Sequence, residues 1–137
     1  MYTTLALDLD GTLTTSTKEI TLRSKEAVQR AYDKGVHIVL ASGRPVLGIV
    51  PVAERLGLLG EDATILAYNG GQLVSTRDLK VMWERSVDLR TIHTCFAYAR
   101  QHKLAALSYD SKGVITEMPD DRYVGLEAYN NAIPIRK

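Results

Sequence analysis

Apolar positions along the chain follow two alternating rhythms. Leu5-Ala6-Leu7 and residues 36–40 and 63–68 form short, nearly continuous apolar runs, as strands buried on both faces do. Between them the apolar residues recur at helical spacing. Thr21 suits the N-cap of a helix reaching about Lys34, with Ala27, Val28, Ala31 and Tyr32 on one stripe and Gly35 as its left-handed stop. Pro45 suits the first position of a second helix, whose stripe is Val46, Ile49, Val50, Ala53 and Leu56. Pro51 interrupts that stripe and predicts a kink or a later start. This alternation is the pattern of an α/β fold with a parallel sheet.

After Asn69-Gly70-Gly71 the texture changes. Residues 72–75 and 80–85 read as a β-hairpin around Thr76-Arg77-Asp78. Residues 89–102 carry a helical stripe of Leu89, Ile92, Phe96 and Ala99. Residues 104–109 and 113–118 pair across Asp110-Ser111-Lys112, and a last helix is expected from about Asp120 to Asn131. The first 84 or so residues thus form a strand–helix–strand unit, and the remainder an α+β piece.

Composition narrows the functions. The 137 residues match the size of one ordinary domain. With 17 basic and 16 acidic residues the net charge is +1, so neither nucleic acid nor an anionic membrane is attracted globally. No apolar run approaches the roughly 20 residues of a membrane span. The N-terminus carries two acids where a signal peptide would be apolar, and one cysteine forms no internal disulfide. A cytoplasmic location is expected.

The chemistry concentrates at Asp8-Leu9-Asp10-Gly11-Thr12, directly after the first strand. Ligands of open α/β sheets bind outside the carboxyl ends of the strands, where this segment must lie. Two carboxylates two residues apart there can share a divalent cation or divide nucleophile and acid/base duties. Gly11 permits a sharp turn and the Thr12 hydroxyl can tie it. After the second strand, Ser42, Gly43 and Arg44 before Pro45 combine a hydroxyl, a pliant backbone and a helix start, the makings of an anion site. Alone, that tetrapeptide reads as a plain turn; its pairing with Asp8 and Asp10 gives it weight.

D-L-D-G-T-L, then A-S-G-R-P, then Y-N-G-G resemble, in order and spacing, the haloacid dehalogenase superfamily, and within it the Cof-type sugar-phosphate phosphatases with an α/β cap. The resemblance implies a Rossmann-like core over residues 1–84 and part of a cap over 85–137. It makes Asp8 the nucleophile that accepts a phosphoryl group and Asp10 the acid/base. Asp8 and the Asp10 main-chain carbonyl would bind Mg²⁺, and Ser42, with Gly43 and Arg44, would contact the phosphoryl oxygens. Thr12 and the turn at Asn69 and Gly70 would shape the site, and residues 13–20 would form a mobile flap. The implied substrate is a small phosphorylated metabolite.

Two motifs of that family, a lysine and a G-D-x-x-N-D-like acidic segment after the cap, are absent from these 137 residues. The chain is therefore expected to be the N-terminal half of a longer one, inactive alone and inclined to self-associate through exposed strand edges. Two other readings stay open: a non-catalytic binding protein, and a phosphomutase using the same nucleophile. Cys95 is expected as a small core residue and Trp83 as a packing residue at a junction. His37, His93 and His102 lack metal-ligand spacing, and Tyr109, Tyr123 and Tyr129 are expected to pack.

Overall fold

The structure is a computed structural model, and residues 2–136 are described. The chain divides into two compact units, Met1–Arg85 and Ser86–Lys137.

In the first unit, β1 (Thr4–Asp8), β2 (His37–Ala41), β3 (Thr64–Ala67), β4 (Gln72–Ser75) and β5 (Val81–Glu84) form one sheet in that order. β1, β2 and β3 run parallel, whereas β3–β4 and β4–β5 are antiparallel, so the sheet is mixed. The helices α1 (Leu22–Asp33) and α2 (Val46–Leu56) return the chain between the parallel strands. Thr21 caps α1 by accepting from the Ser24 N–H at 3.1 Å. α2 starts at Val46 and runs through Pro51, so it does not start later as the alternative expectation had it. Pro51 and Leu47, whose carbonyl the proline leaves without an N–H partner, are both exposed.

Register explains how the core forms. Leu5 and Leu7 stand beside Ile38 and Leu40, and Leu40 stands beside Ile65. This one sheet face meets Val28 of α1 and Ile49, Val52 and Leu56 of α2 in a single cluster. Fully burying each such aliphatic side chain stabilises by about 1.5–3 kcal/mol. Among the described residues the opposite face of β1 and β2 is less buried: Ala6 is exposed, and Val39 and Ala41 are half-buried. Strands buried on both faces were expected; among the described residues β1 and β2 bury one face. Both helices pack on the same face, and β1 pairs with one neighbour only. β5 forms the other edge with Val81, Met82 and Trp83 all exposed, so Trp83 does not pack as expected.

The second unit contains α3 (Leu89–His102), β6 (Leu107–Asp110), β7 (Gly113–Thr116), α4 (Arg122–Asn131) and β8 (Ile135–Arg136). β6 and β7 form the hairpin read from the sequence, and β8, which was not foreseen, adds parallel to β7. α4 lies on β7 and β8, enclosing Val114, Val124, Ala128 and Ile133. Cys95 is exposed, since the buried stripe of α3 runs through Ile92, Phe96 and Ala99 and leaves position 95 outside it. Tyr109 packs and donates to Glu127 at 2.7 Å, whereas Tyr123 and Tyr129 are exposed. His37 lies within 2.8 Å of the Thr64 hydroxyl, a structural contact between β2 and β3.

Candidate active site

Three parallel strands end side by side, and the loops that leave them carry the candidate residues. Asp8 is the last residue of β1, paired with Ala41 at the end of β2. The chain then folds over the Leu9 carbonyl, which accepts from the Leu13 N–H at 3.1 Å and the Thr14 N–H at 2.9 Å. Leu9 and Leu13 are buried and anchor this turn in the core, and Gly11 takes a φ of 81° within it. The hydroxyl that ties the turn belongs to Thr14, which donates to the Leu9 carbonyl at 2.9 Å from a buried position. Thr12, expected in that role, is exposed. Leu13 and Thr14, expected in a mobile flap, are thus pinned, and residues 15–19 are what project.

Beyond β2, the Ser42 hydroxyl accepts from the Arg44 N–H at 3.2 Å. That bond uses an oxygen lone pair and leaves the hydroxyl hydrogen available to an incoming anion. The Ser42 N–H donates to Leu66 at 3.0 Å, and its carbonyl accepts from Asn69 at 3.2 Å. The Arg44 carbonyl accepts from Tyr68 at 3.0 Å, so the loops after β2 and β3 are joined along their backbones. Tyr68, Asn69 and Gly70 all have positive φ, at 53°, 54° and 91°. Tyrosine rarely adopts that conformation, and such strain tends to gather at functional sites.

Tyr68 opens the Y-N-G-G motif but was given no role from the sequence. Its half-buried phenol oxygen takes the Val46 N–H at the start of α2. Burial pushes that phenol up from its ordinary range; the Val46 hydrogen bond opposes this and the Glu84 charge adds to it.

The two aspartates are in contrasting electrostatic settings. Among the described residues no hydrogen bond or ion pair engages the Asp8 carboxylate. The Asp10 carboxylate is clamped. Arg44 donates from Nε to Oδ2 at 2.8 Å and from Nη2 to Oδ1 at 2.6 Å, and Lys18 Nζ adds a contact to Oδ1 at 2.7 Å. Hydrogen bonds from Arg44 hold the Asp10 carboxyl at about 2, below the usual 3.8, with burial opposing and Lys18 assisting. Arg44 Nη1 reaches the Gly48 carbonyl at 3.4 Å. The guanidinium, expected to contact phosphate, is here directed at Asp10.

A divalent metal can be tested against this donor set. The Asp8 carboxylate and the Asp10 main-chain carbonyl are hard oxygen donors of the kind Mg²⁺ takes. Among the described residues no group of three or more His, Cys, Asp or Glu gathers at one place, so these two donors make a partial shell.

A carboxylate at the end of a parallel strand, with a hydroxyl anion cradle at the next strand end, defines an α/β site for phosphoryl or similar anionic groups. The model of the haloacid dehalogenase-like hydrolase family matches residues 5–135, and the chain belongs to that family. A crystal structure of a haloacid dehalogenase-like hydrolase from Bacteroides thetaiotaomicron is 39% identical, with a TM-score of 0.94 over all of this chain and 52% of that one. YxeH of Bacillus subtilis (strain 168), which carries a provisional phosphatase name, is 29% identical over 136 residues, 98% of this chain and 50% of that protein. The pyridoxal phosphate phosphatase YbhA of Escherichia coli (strain K12) is 25% identical over 130 residues, 95% of this chain and 47% of that protein. The chain spans about half the length of the curated relatives it matches.

Proposed function

We propose that Asp8 and Asp10 belong to a phosphatase that hydrolyses a small phosphorylated metabolite, a sugar phosphate by preference, through an aspartyl-phosphate. The observation that carries this reading is the Asp8 carboxylate at the end of β1, unpaired among the described residues, two residues before a clamped Asp10. Phosphatase-named relatives and family membership support it.

In the first step an Asp8 oxygen forms a bond to phosphorus while the bond to the leaving oxygen breaks, and Asp10 in its acid form supplies the proton that oxygen needs. In the second step Asp10 takes a proton from water, the water oxygen bonds to phosphorus, and the Asp8–phosphorus bond breaks to release phosphate. The clamp favours the Asp10 carboxylate, the form required for the second step. The first step therefore requires Asp10 to loosen from at least one cation before it donates. The Ser42 hydroxyl would donate to a phosphoryl oxygen, its own oxygen being held by the Arg44 N–H. Asp8 and the Asp10 carbonyl would hold Mg²⁺, which when bound offsets the repulsion between an anionic nucleophile and an anionic substrate. The exposed free thiol of Cys95 suits a reducing compartment, and we place the protein in the cytoplasm.

The test uses the protein expressed from its whole reading frame, supplied with magnesium and a panel of sugar phosphates. Borohydride reduction during turnover should convert Asp8 to homoserine, detected by peptide mass, and Asp8→Asn should abolish phosphate release. Wild-type turnover by a clean Asp8→Asn sample would overturn the mechanism.

A further inference from the structure

Lys18 was not among the residues the motifs pointed to, yet it reaches the proposed acid/base carboxylate from eight positions away. Its approach is built into the backbone. The Thr15 N–H donates to the Glu19 carbonyl and the Lys18 N–H to the Thr15 carbonyl, each at 2.9 Å. The Thr15 hydroxyl accepts from the Glu19 N–H at 3.2 Å and lies 2.9 Å from the Thr17 hydroxyl. These bonds close a tight turn over residues 15–19. At its tip Lys18 takes a φ of 62°, a left-handed conformation uncommon for a residue with a side chain. Arg55 of α2 reaches the Lys18 carbonyl at 3.5 Å from outside the turn. An ordinary surface lysine samples many rotamers and contributes little through ion pairing. This one is delivered by a closed turn to a single oxygen.

The two oxygens of Asp10 are not equivalent. Oδ1 carries two donors, Lys18 Nζ and Arg44 Nη2, whereas Oδ2 carries Arg44 Nε alone. We propose that Lys18 is a positioning residue for the acid/base aspartate: it retains Oδ1 when the Arg44 fork opens, so that Oδ2 turns to the leaving oxygen. This rests on the phosphatase reading of Asp8 and Asp10 and assigns the second carboxylate its orienting partner. Lys18 itself touches neither substrate nor phosphoryl group in this role.

The experiment compares Lys18→Met and Lys18→Arg in the protein expressed from its whole reading frame. One substrate is nitrophenyl phosphate, whose leaving group needs little protonation; the other is glycerol phosphate, whose alkoxide needs a full proton. Loss of a general acid typically costs about 10²–10⁴ in rate, and misorienting it should cost part of that. Lys18→Met should lower kcat on glycerol phosphate about 10- to 100-fold and on nitrophenyl phosphate no more than about threefold, with Lys18→Arg restoring most of the loss. Equal loss on both substrates, or none on either, overturns the proposal. Asp8→Asn in the same assays separates the two claims, because full turnover by that variant sinks the phosphatase reading instead. A second readout needs no turnover: lysines are reductively ¹³C-methylated, and the Lys18 signal, assigned by its loss in Lys18→Met, is followed by NMR. It should shift on Asp10→Asn, and an unmoved signal overturns the proposal whatever the rates.

Discussion

Gly43 lies directly against the Asn69 side chain: a methyl group at position 43 would stand 2.9 Å from Asn69 Oδ1. The contact joins the loop after β2 to the loop after β3, beside the backbone bond from Asn69 to Ser42. Asn69 is exposed, and its amide end has room to swing aside. Gly43→Ala should therefore fold and lose about 1 kcal/mol or less, as substitutions at exposed positions commonly do. The loss should vanish when Asn69 is already alanine, because neighbours in contact couple. A double-mutant cycle in urea measures this, and an equal loss in both backgrounds would place the strain elsewhere.

Gly113 is the contrasting case. Its φ is 154°, and a Cβ there would fall 2.2 Å from the Pro134 carbonyl oxygen, which accepts from the Val114 N–H. The obstacle is backbone, so relief requires β7 and β8 to separate. Gly113→Ala should destabilise the second unit by about 3 kcal/mol or more, near the upper end for single substitutions. Amide signals of Val114 and Ile115 report that loss. Trp83, the only tryptophan, lies in the first unit and should keep its fluorescence if the damage stays local.

The Asp10 clamp has a signed pH dependence. Its folded pKa is depressed to about 2 from the usual 3.8. The ionised form is favoured by folding, so the contribution is fully present above about pH 4 and is lost as pH falls through 2. Asp10 is 40% exposed, and solvent screening limits the contribution to about 1 kcal/mol or less. Wild type should exceed Asp10→Asn in stability by that margin at pH 6, and the gap should close between pH 4 and pH 2. Paired urea titrations across that range measure it; a gap constant with pH would mean the carboxylate is not held by its cations.

The 137-residue chain by itself should show little or no phosphatase turnover, even with magnesium. Asp8 and the Asp10 carbonyl are a partial shell, and Mg²⁺ held by so few protein oxygens keeps most of its waters and binds weakly. Removing one electrostatic stabiliser of a transition state commonly costs about 10²–10³ in rate. Calorimetry should show a magnesium affinity no tighter than about millimolar, and phosphate release should appear only in a protein with the length of its relatives. Equal, Asp8-dependent turnover by the short chain would refute this.

What the sequence determined by itself was local. Apolar periodicity located the parallel strands, the hairpin of β4 and β5 and, apart from the exposed Leu89, the stripe of α3, because each pattern is repeated within one element. The motif after β1 placed Asp8 at a strand end, since a buried run followed by charged and glycine residues has to leave the sheet there. Tertiary structure decided which partners those residues meet. Arg44 reaches Asp10 across 34 positions because β1 and β2 are neighbours, a fact of strand order that no local pattern encodes. Thr12 and Thr14 are chemically alike in the sequence, and only the fold over the Leu9 carbonyl turns the second inward to tie the loop. The contacts of Lys18 and Tyr68 were not legible for the converse reason. Each sits in a left-handed backbone conformation that glycine would advertise and that lysine and tyrosine do not.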